Sequence, residues 1–143
     1  MIKKISHKNQ LLGIIILGNF SCEDIQFFTP PEFSQQLGYM NRPKGYIIPP
    51  HVHNEVVREV LLTNEVLFIK SGRVRVDFYD QDQIYLESHV LKTDDTILLA
   101  SGGHGFEMLE PSQIIEVKQG PYAVEEDKTR FNPIEKFKIK IVD

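Results

Sequence analysis

The chain has 143 residues and a formal net charge of −4, with 41% hydrophobic and 25% charged residues, which is the balance of a globular protein of one-domain length and not of a disordered or fibrous one. Its 16 basic residues against 20 acidic ones remove the global electrostatic reason for a nucleic-acid or anionic-membrane partner. The single cysteine, Cys22, excludes an internal disulfide framework and a sulfur-based zinc site, so a cytoplasmic location is expected.

At the N-terminus Lys3, Lys4 and Lys8 precede an apolar run from Leu11 to Leu17, and Cys22 follows, an order that a bacterial lipoprotein signal also has. Gly13 interrupts the run, and Asn19, Phe20 and Ser21 stand where a signal would carry small residues. The isoleucine-rich run therefore reads as a buried strand. No other segment approaches the ~20 apolar residues of a membrane span. Further strands are expected at Glu32–Tyr39, Gly45–Ile48, Val52–Val60, Glu65–Lys70, Val74–Tyr79, Ile84–Leu91, Thr96–Leu99, His104–Leu109, Gln113–Lys118 and Lys136–Val142, short runs of Val, Ile, Leu, Phe and Tyr set off by turn residues.

Ser71-Gly72 reads as one hairpin turn and Asp80 to Gln83 as the next. No stretch sustains a helical period over three turns, although Glu55 to Leu62 has room for a short helix. Without a long helix to cover a sheet, the expected fold is all-β: a sandwich, jelly roll or closed barrel that buries both apolar faces and strand edges. No repeat or linker divides residues 1–143, so one domain is expected, with Glu125 to Arg130 as a solvated turn.

Alternation assigns faces. Val74, Val76 and Phe78 share one side and Arg73, Arg75 and Asp77 the other, which predicts a strand with one wet face. From Glu65 to Ile69 both faces are apolar apart from Glu65, which predicts cover on both sides, by the N-terminal segment or by another subunit.

The histidines carry the chemical signal. His51 and His53, entered through Pro49-Pro50, project from one face if the segment is a strand, with Cα atoms ~6–7 Å apart. His104 follows Ser101-Gly102-Gly103, a sharp entry into a strand on which Phe106 and Met108 share its face and Glu107 points away. His7 and His89 read as surface residues. Gly45, five residues, His51-Val52-His53, a spacer, Glu65, six residues and Gly72 resemble the first motif of the cupin superfamily, G-x5-H-x-H-x(3–4)-E-x6-G. Asp94 through Gly102-Gly103-His104 resembles the second, G-x5-P-x-G-x2-H-x3-N. The chain departs from the pattern: among other differences, eleven residues separate His53 from Glu65, Ala100 or Ser101 replaces the proline, and Met108 replaces the asparagine.

The resemblance, which spans Gly45 to Met108, implies a cupin jelly-roll barrel holding a divalent transition metal on His51, His53, Glu65 and His104. Imidazole with one carboxylate suits iron, manganese, nickel, copper or zinc and leaves open coordination positions. Glu55 or Glu59 is an alternative source of the carboxylate. The expected ligand is a small polar molecule, a carbohydrate or a carboxylate. The segment from Gly38 to Gly45 and the closing Lys118 to Tyr122 look like small cupins associated with bacterial surface-polysaccharide genes. An isomerase or epimerase, a dioxygenase and a non-catalytic binding module all remain open, as does a barrel without metal. Tyr46, Arg58, Arg73, Arg75 and Tyr122 are candidate ligand contacts, although each reads more readily as a surface or packing residue. A homodimer is expected.

Overall fold

The computed structural model describes residues 1–121 and 127–143. Its strands are β1 (Ile2–His7), β2 (Gln10–Ile16), β3 (Asp24–Phe27), β4 (Gly38–Asn41), β5 (Glu65–Ser71), β6 (Arg73–Tyr79), β7 (Tyr85–Lys92), β8 (Thr96–Leu99), β9 (Gly103–Met108) and β10 (Gln113–Lys118), followed by a 3-10 turn at Lys136–Lys138. The strands of every sheet pair antiparallel, so the protein is all-β as expected. Among the described residues no helix is long and apolar enough to cross a membrane. The chain divides into two compact units, one of Met1–Phe20 with Leu62–Asp143 and one of Ser21–Leu61.

The first unit holds a five-stranded sheet in the order β1-β2-β8-β5-β10 and a three-stranded sheet in the order β7-β6-β9. Ile5, Ile15, Leu67, Ile69, Ile97 and Leu99 from the first sheet join Val74, Val76, Phe78 and Leu91 from the second in one buried cluster. The two sheets thus bury their apolar faces on each other, at about 1.5–3 kcal/mol for each large side chain. The isoleucine run is the buried strand β2. It lies within the same sheet as β5, with β8 between them, and does not cover the β5 face.

Two turns show how the chain moves between sheets. β5 and β6 are separated only by Gly72 yet belong to different sheets, so Ser71-Gly72 is a corner and not the expected hairpin. Gly72 has φ +89°, and a Cβ there would run into the Pro111 carbonyl and the Ser112 hydroxyl. Only glycine takes that path without strain. The Asp80–Gln83 turn is a true hairpin between β6 and β7. The Asp80 carboxylate accepts the amides of Asp82 and Ile84, both at 2.9 Å, which fixes the turn locally.

The expected wet face of β6 is covered. Arg75 and Asp77 are buried, as is Ser88 opposite Asp77. Nor does Lys136–Val142 form a strand. It gives the short turn and one bridge, Ser88 to Ile141, because its main-chain bonds go to a single residue of β7: the Ser88 amide donates to the Lys140 carbonyl and the Val142 amide to the Ser88 carbonyl, both at 2.8 Å. Two tyrosines tie the same segment down. The Tyr85 hydroxyl accepts the Lys140 amide at 2.8 Å and the Tyr79 hydroxyl accepts the Ile134 amide at 2.9 Å. The segment thereby blunts the outer edge of β7.

Tyr85→Phe is expected to cost about 0.5–1.5 kcal/mol and to speed hydrogen exchange at the Lys140 amide while the core strands keep their protection. Unchanged protection at Lys140 would show that the hydroxyl does not hold the segment. Burial raises the Tyr79 phenol above its ordinary value, against the effect of the Ile134 bond. Its contribution to stability is therefore complete below the unfolded value of ~10 and is lost as pH rises through the raised folded one.

In the second unit β3 and β4 pair from Asp24 opposite Asn41 to Phe27 opposite Gly38. Arg42 forms an ion pair with Asp24 and stacks 4.6 Å from the centre of the Tyr46 ring. The expected strand Glu32–Tyr39 survives only from Gly38 onward. Ahead of it the Gln36 amide donates to the carbonyls of Pro30 and Phe33, both at 2.9 Å, and its oxygen accepts the Thr29 hydroxyl. These bonds close a local turn that competes with an extended chain. Gly45–Ile48 and Val52–Val60 form no strand either, and Ile47 and Val57 are 79% and 100% exposed. Pro49 and Pro50 supply no amide donors there, and β-branched composition without a pairing partner does not make a strand. Conversely, β1 and β3 form in segments where charged and polar residues masked the pattern.

Candidate functional site

The site lies within the first unit, where β9 faces β5 and β10. Across β6 and β9, Phe78 is opposite His104, Val76 opposite Phe106 and Val74 opposite Met108. Those β6 residues belong to the core, so His104, Phe106 and Met108 share the inner face, as alternation predicts. Across β5 and β10, Glu65 is opposite Lys118, Leu67 opposite Glu116 and Ile69 opposite Ile114. The space between the two pairs is a cavity of about 390 Å³ that Lys128 also borders.

His104 Nε2 stands 3.2 Å from Glu65 Oε2. The other carboxylate oxygen, Oε1, lies 3.8 Å from Lys118 Nζ, which is itself 3.3 Å from Glu116. The Glu65 side chain is only 12% exposed. The hydrogen bond with His104 holds its carboxyl below the usual carboxylate range against the opposing effect of burial, and the charges of His104, Lys118 and Lys128 act in the same direction as the bond. The carboxylate is thus ionised at neutral pH and compensated on both oxygens.

Neighbouring contacts fix the two strand starts. The buried Asn64 amide donates to the Ala100 carbonyl at 2.8 Å, which anchors the residue before Glu65 to the end of β8. Gly102, at φ +70°, passes so close to the Tyr79 carbonyl that a Cβ would stand 2.6 Å from it, which explains the sharp entry into β9. Glu107 faces away from His104, toward Arg75 and Lys136.

The remaining candidates fall elsewhere. His51 and His53 lie in the second unit, exposed and outside any strand, with ring centroids 5.2 Å apart in an edge-on arrangement. His51 Nδ1 is 3.0 Å from the Pro49 carbonyl oxygen. The expectation that they share a strand face is therefore not met, although their rings do come together. Glu55 and Glu59 are exposed in the same unit. Glu65 is the carboxylate that reaches His104. Among the described residues no group of three or more His, Cys, Asp or Glu side chains could hold a metal ion.

Arg75 is locked to Asp77 and Glu107, Arg73 pairs with Glu110, and Arg58 is exposed. Tyr122 and residues 125 and 126 of the charged stretch lie outside the described residues. His89 is buried at 4% exposure and not a surface residue, with Nε2 2.9 Å from Glu87 and its ring edge-on to Phe78. His7 Nε2 is 3.8 Å from Asp80. Sequence reading missed Glu116 and Lys128. Glu116 was accessible in principle, since Ile114, Glu116 and Lys118 alternate on one side of β10 and need only the pairing with β5 to place them beside Glu65. Lys128 had no such signal, sitting in a charged stretch that reads as solvated.

The arrangement is that of a carboxylate that orients an imidazole at the head of a partly apolar cavity. Such an imidazole is placed to exchange a proton with a molecule in the cavity. No family model matches the chain, nor does any curated protein or any solved structure.

Proposed function

We propose that this chain is a cupin-type jelly-roll protein that binds a small ligand in the cavity headed by Glu65 and His104. The observation that carries the reading is their 3.2 Å approach at one end of a cavity whose walls include Leu67, Phe106 and Ile114. Apolar walls with a few convergent polar groups are the usual make-up of a small-molecule site. Keeping a carboxylate there costs desolvation that His104 and Lys118 offset, which suits a group retained to orient a polar ligand atom. Glu65 holds the ring, His104 exchanges a proton with the bound molecule, and the apolar walls pack against its hydrocarbon part. That division of labour fits an isomerase or epimerase; the link to polysaccharide biosynthesis rests on the sequence resemblance.

The same resemblance adds a divalent transition metal. The donor chemistry of Glu65 and His104 fits such an ion, but two donors are fewer than the three or four that a resident ion takes. His51 and His53 complete the number by motif spacing alone. When bound, the ion would supply Lewis-acid polarisation of a ligand oxygen. The direct contact between Glu65 and His104 favours a second reading, in which the pair serves as the polar pole of the cavity without an ion.

Metal analysis of protein made in defined medium separates the two. About one divalent ion per chain is expected, lost in both His53→Ala and His104→Ala without unfolding. No stoichiometric ion at neutral pH would dismiss the metal and leave the pair. A homodimer also belongs to this proposal, supported by Ile115 and Val117 on β10, which are 53% and 57% exposed. Light scattering that gives a monomer at tens of micromolar would reject it.

A further inference from the structure

We infer that the ligand of this cavity is a small carboxylate with an apolar body and not a carbohydrate, an inference that rests on the ligand-binding reading above. Among the described residues the lining divides into apolar side chains, such as Phe106, Met108 and Ile114, and ionisable ones; no Asn, Gln, Ser, Thr or Tyr contributes. A sugar presents a dense array of neutral hydroxyls, and each one buried without a partner is penalised. Here Leu67, Phe106, Met108 and Ile114 offer those hydroxyls no partner, and Glu65, Glu116 and Lys118 are already paired with one another. An apolar body meets the same surface favourably.

The charges choose the sign of the polar end. Both oxygens of Glu65 are engaged, one by His104 and one by Lys118, and Glu116 is engaged by Lys118 as well. Lys128 borders the cavity and makes no ion pair among the described residues. An amine would find its carboxylates already occupied and two ammonium groups against it. A carboxylate finds the Lys128 ammonium, and a cation bound beside Glu65 and His104 would strengthen the same preference. A cavity of about 390 Å³ lies near the small end of the usual range of about 300–1,000 Å³, so one ring or a short branched chain fills it.

The test is a titration of the full-length protein with phenylacetate, phenylacetamide, 2-phenylethylamine and D-galactose, followed by the NMR signals of the Met108 methyl and the Phe106 and His104 amides. Phenylacetate is expected to shift all three saturably, about tenfold more tightly than the amide or the amine, and D-galactose to shift none. Lys128→Gln, a substitution on an exposed residue, should erase the preference for phenylacetate over phenylacetamide. Phe106→Ala should weaken both. Equal binding of phenylacetate and phenylacetamide, or shifts with D-galactose at the same residues, would overturn the carboxylate assignment and leave the cavity as a ligand site. No shift with any of the four would overturn the ligand-binding reading together with it.

Discussion

Asp77→Ala is expected to destabilise the protein by about 3–5 kcal/mol, because it strands a buried guanidinium. Arg75 donates through Nε to one Asp77 oxygen at 2.7 Å and through a terminal nitrogen to the other at 2.9 Å. The side chains are 11% and 5% exposed. The Ser88 hydroxyl donates to the same carboxylate, and Arg75 also reaches Glu107. Removing Asp77 leaves Arg75 with Glu107 at the edge of the buried face and the Ser88 hydroxyl with the Tyr85 hydroxyl alone. Replacing both members, as in Arg75→Met with Asp77→Leu, removes the stranded charge and should recover much of the loss. Urea unfolding measures both variants. A cost under about 1 kcal/mol for Asp77→Ala, the range of exposed pairs, would mean that water reaches Arg75.

The same network shapes the acid limb. The hydrogen bond from Arg75, then its charge and that of Lys136, hold the Glu107 carboxyl below the usual carboxylate range. Because the folded value is the lower one, the contribution is complete above the unfolded value and fades as pH falls through the lowered one. Glu107→Gln is therefore expected to flatten the acid side of a stability-against-pH curve while leaving the neutral-to-alkaline side unchanged in shape.

This face shows why alternation read one side of β6 wrongly. Arg73-Val74-Arg75-Val76-Asp77-Phe78 has the pattern of a half-wet strand, but Arg75 and Asp77 are two apart on one face and neutralise each other there. A self-compensated pair can be covered, and residues some sixty positions later in the chain cover the neighbouring edge. Local pattern carries no information about such distant contacts. Where a short apolar run is set off by turn residues and finds a partner strand, the bounds hold to the residue, as at Thr96–Leu99 and Gln113–Lys118. Where strand-forming residues lack a partner, as from Tyr46 to Leu62, composition misleads. The site divides the same way. Glu65 and His104 were legible from motif spacing and meet in the cavity. The pairing of β10 with β5, which adds Glu116, is a long-range event that no spacing announces.

Phe78→Ala is expected to cost about 3–5 kcal/mol, the range for deleting a buried aromatic ring. Phe78 is fully buried between the sheets and its ring explains a residue that the sequence left as an interruption. A Cβ on Gly13 would stand 2.9 Å from that ring and 3.0 Å from the Leu98 carbonyl, so the isoleucine run must break there for Phe78 to pack. Gly13→Ala alone should cost about 1–3 kcal/mol through overpacking. In the Phe78→Ala background most of the clash disappears and the new methyl fills part of the cavity. The double variant should therefore be less destabilised than the sum of the singles, by about 0.5–3 kcal/mol of coupling; strict additivity would deny that the ring dictates the glycine. The effect extends to the site, because Phe78 is the strand partner of His104. A β6 that no longer packs holds β9 less firmly, so the imidazole signals of His104 should broaden or shift in Phe78→Ala and recover toward the native values in the double variant. Unaltered His104 signals would mean that β5 and the glycine turn position the imidazole without help from the core.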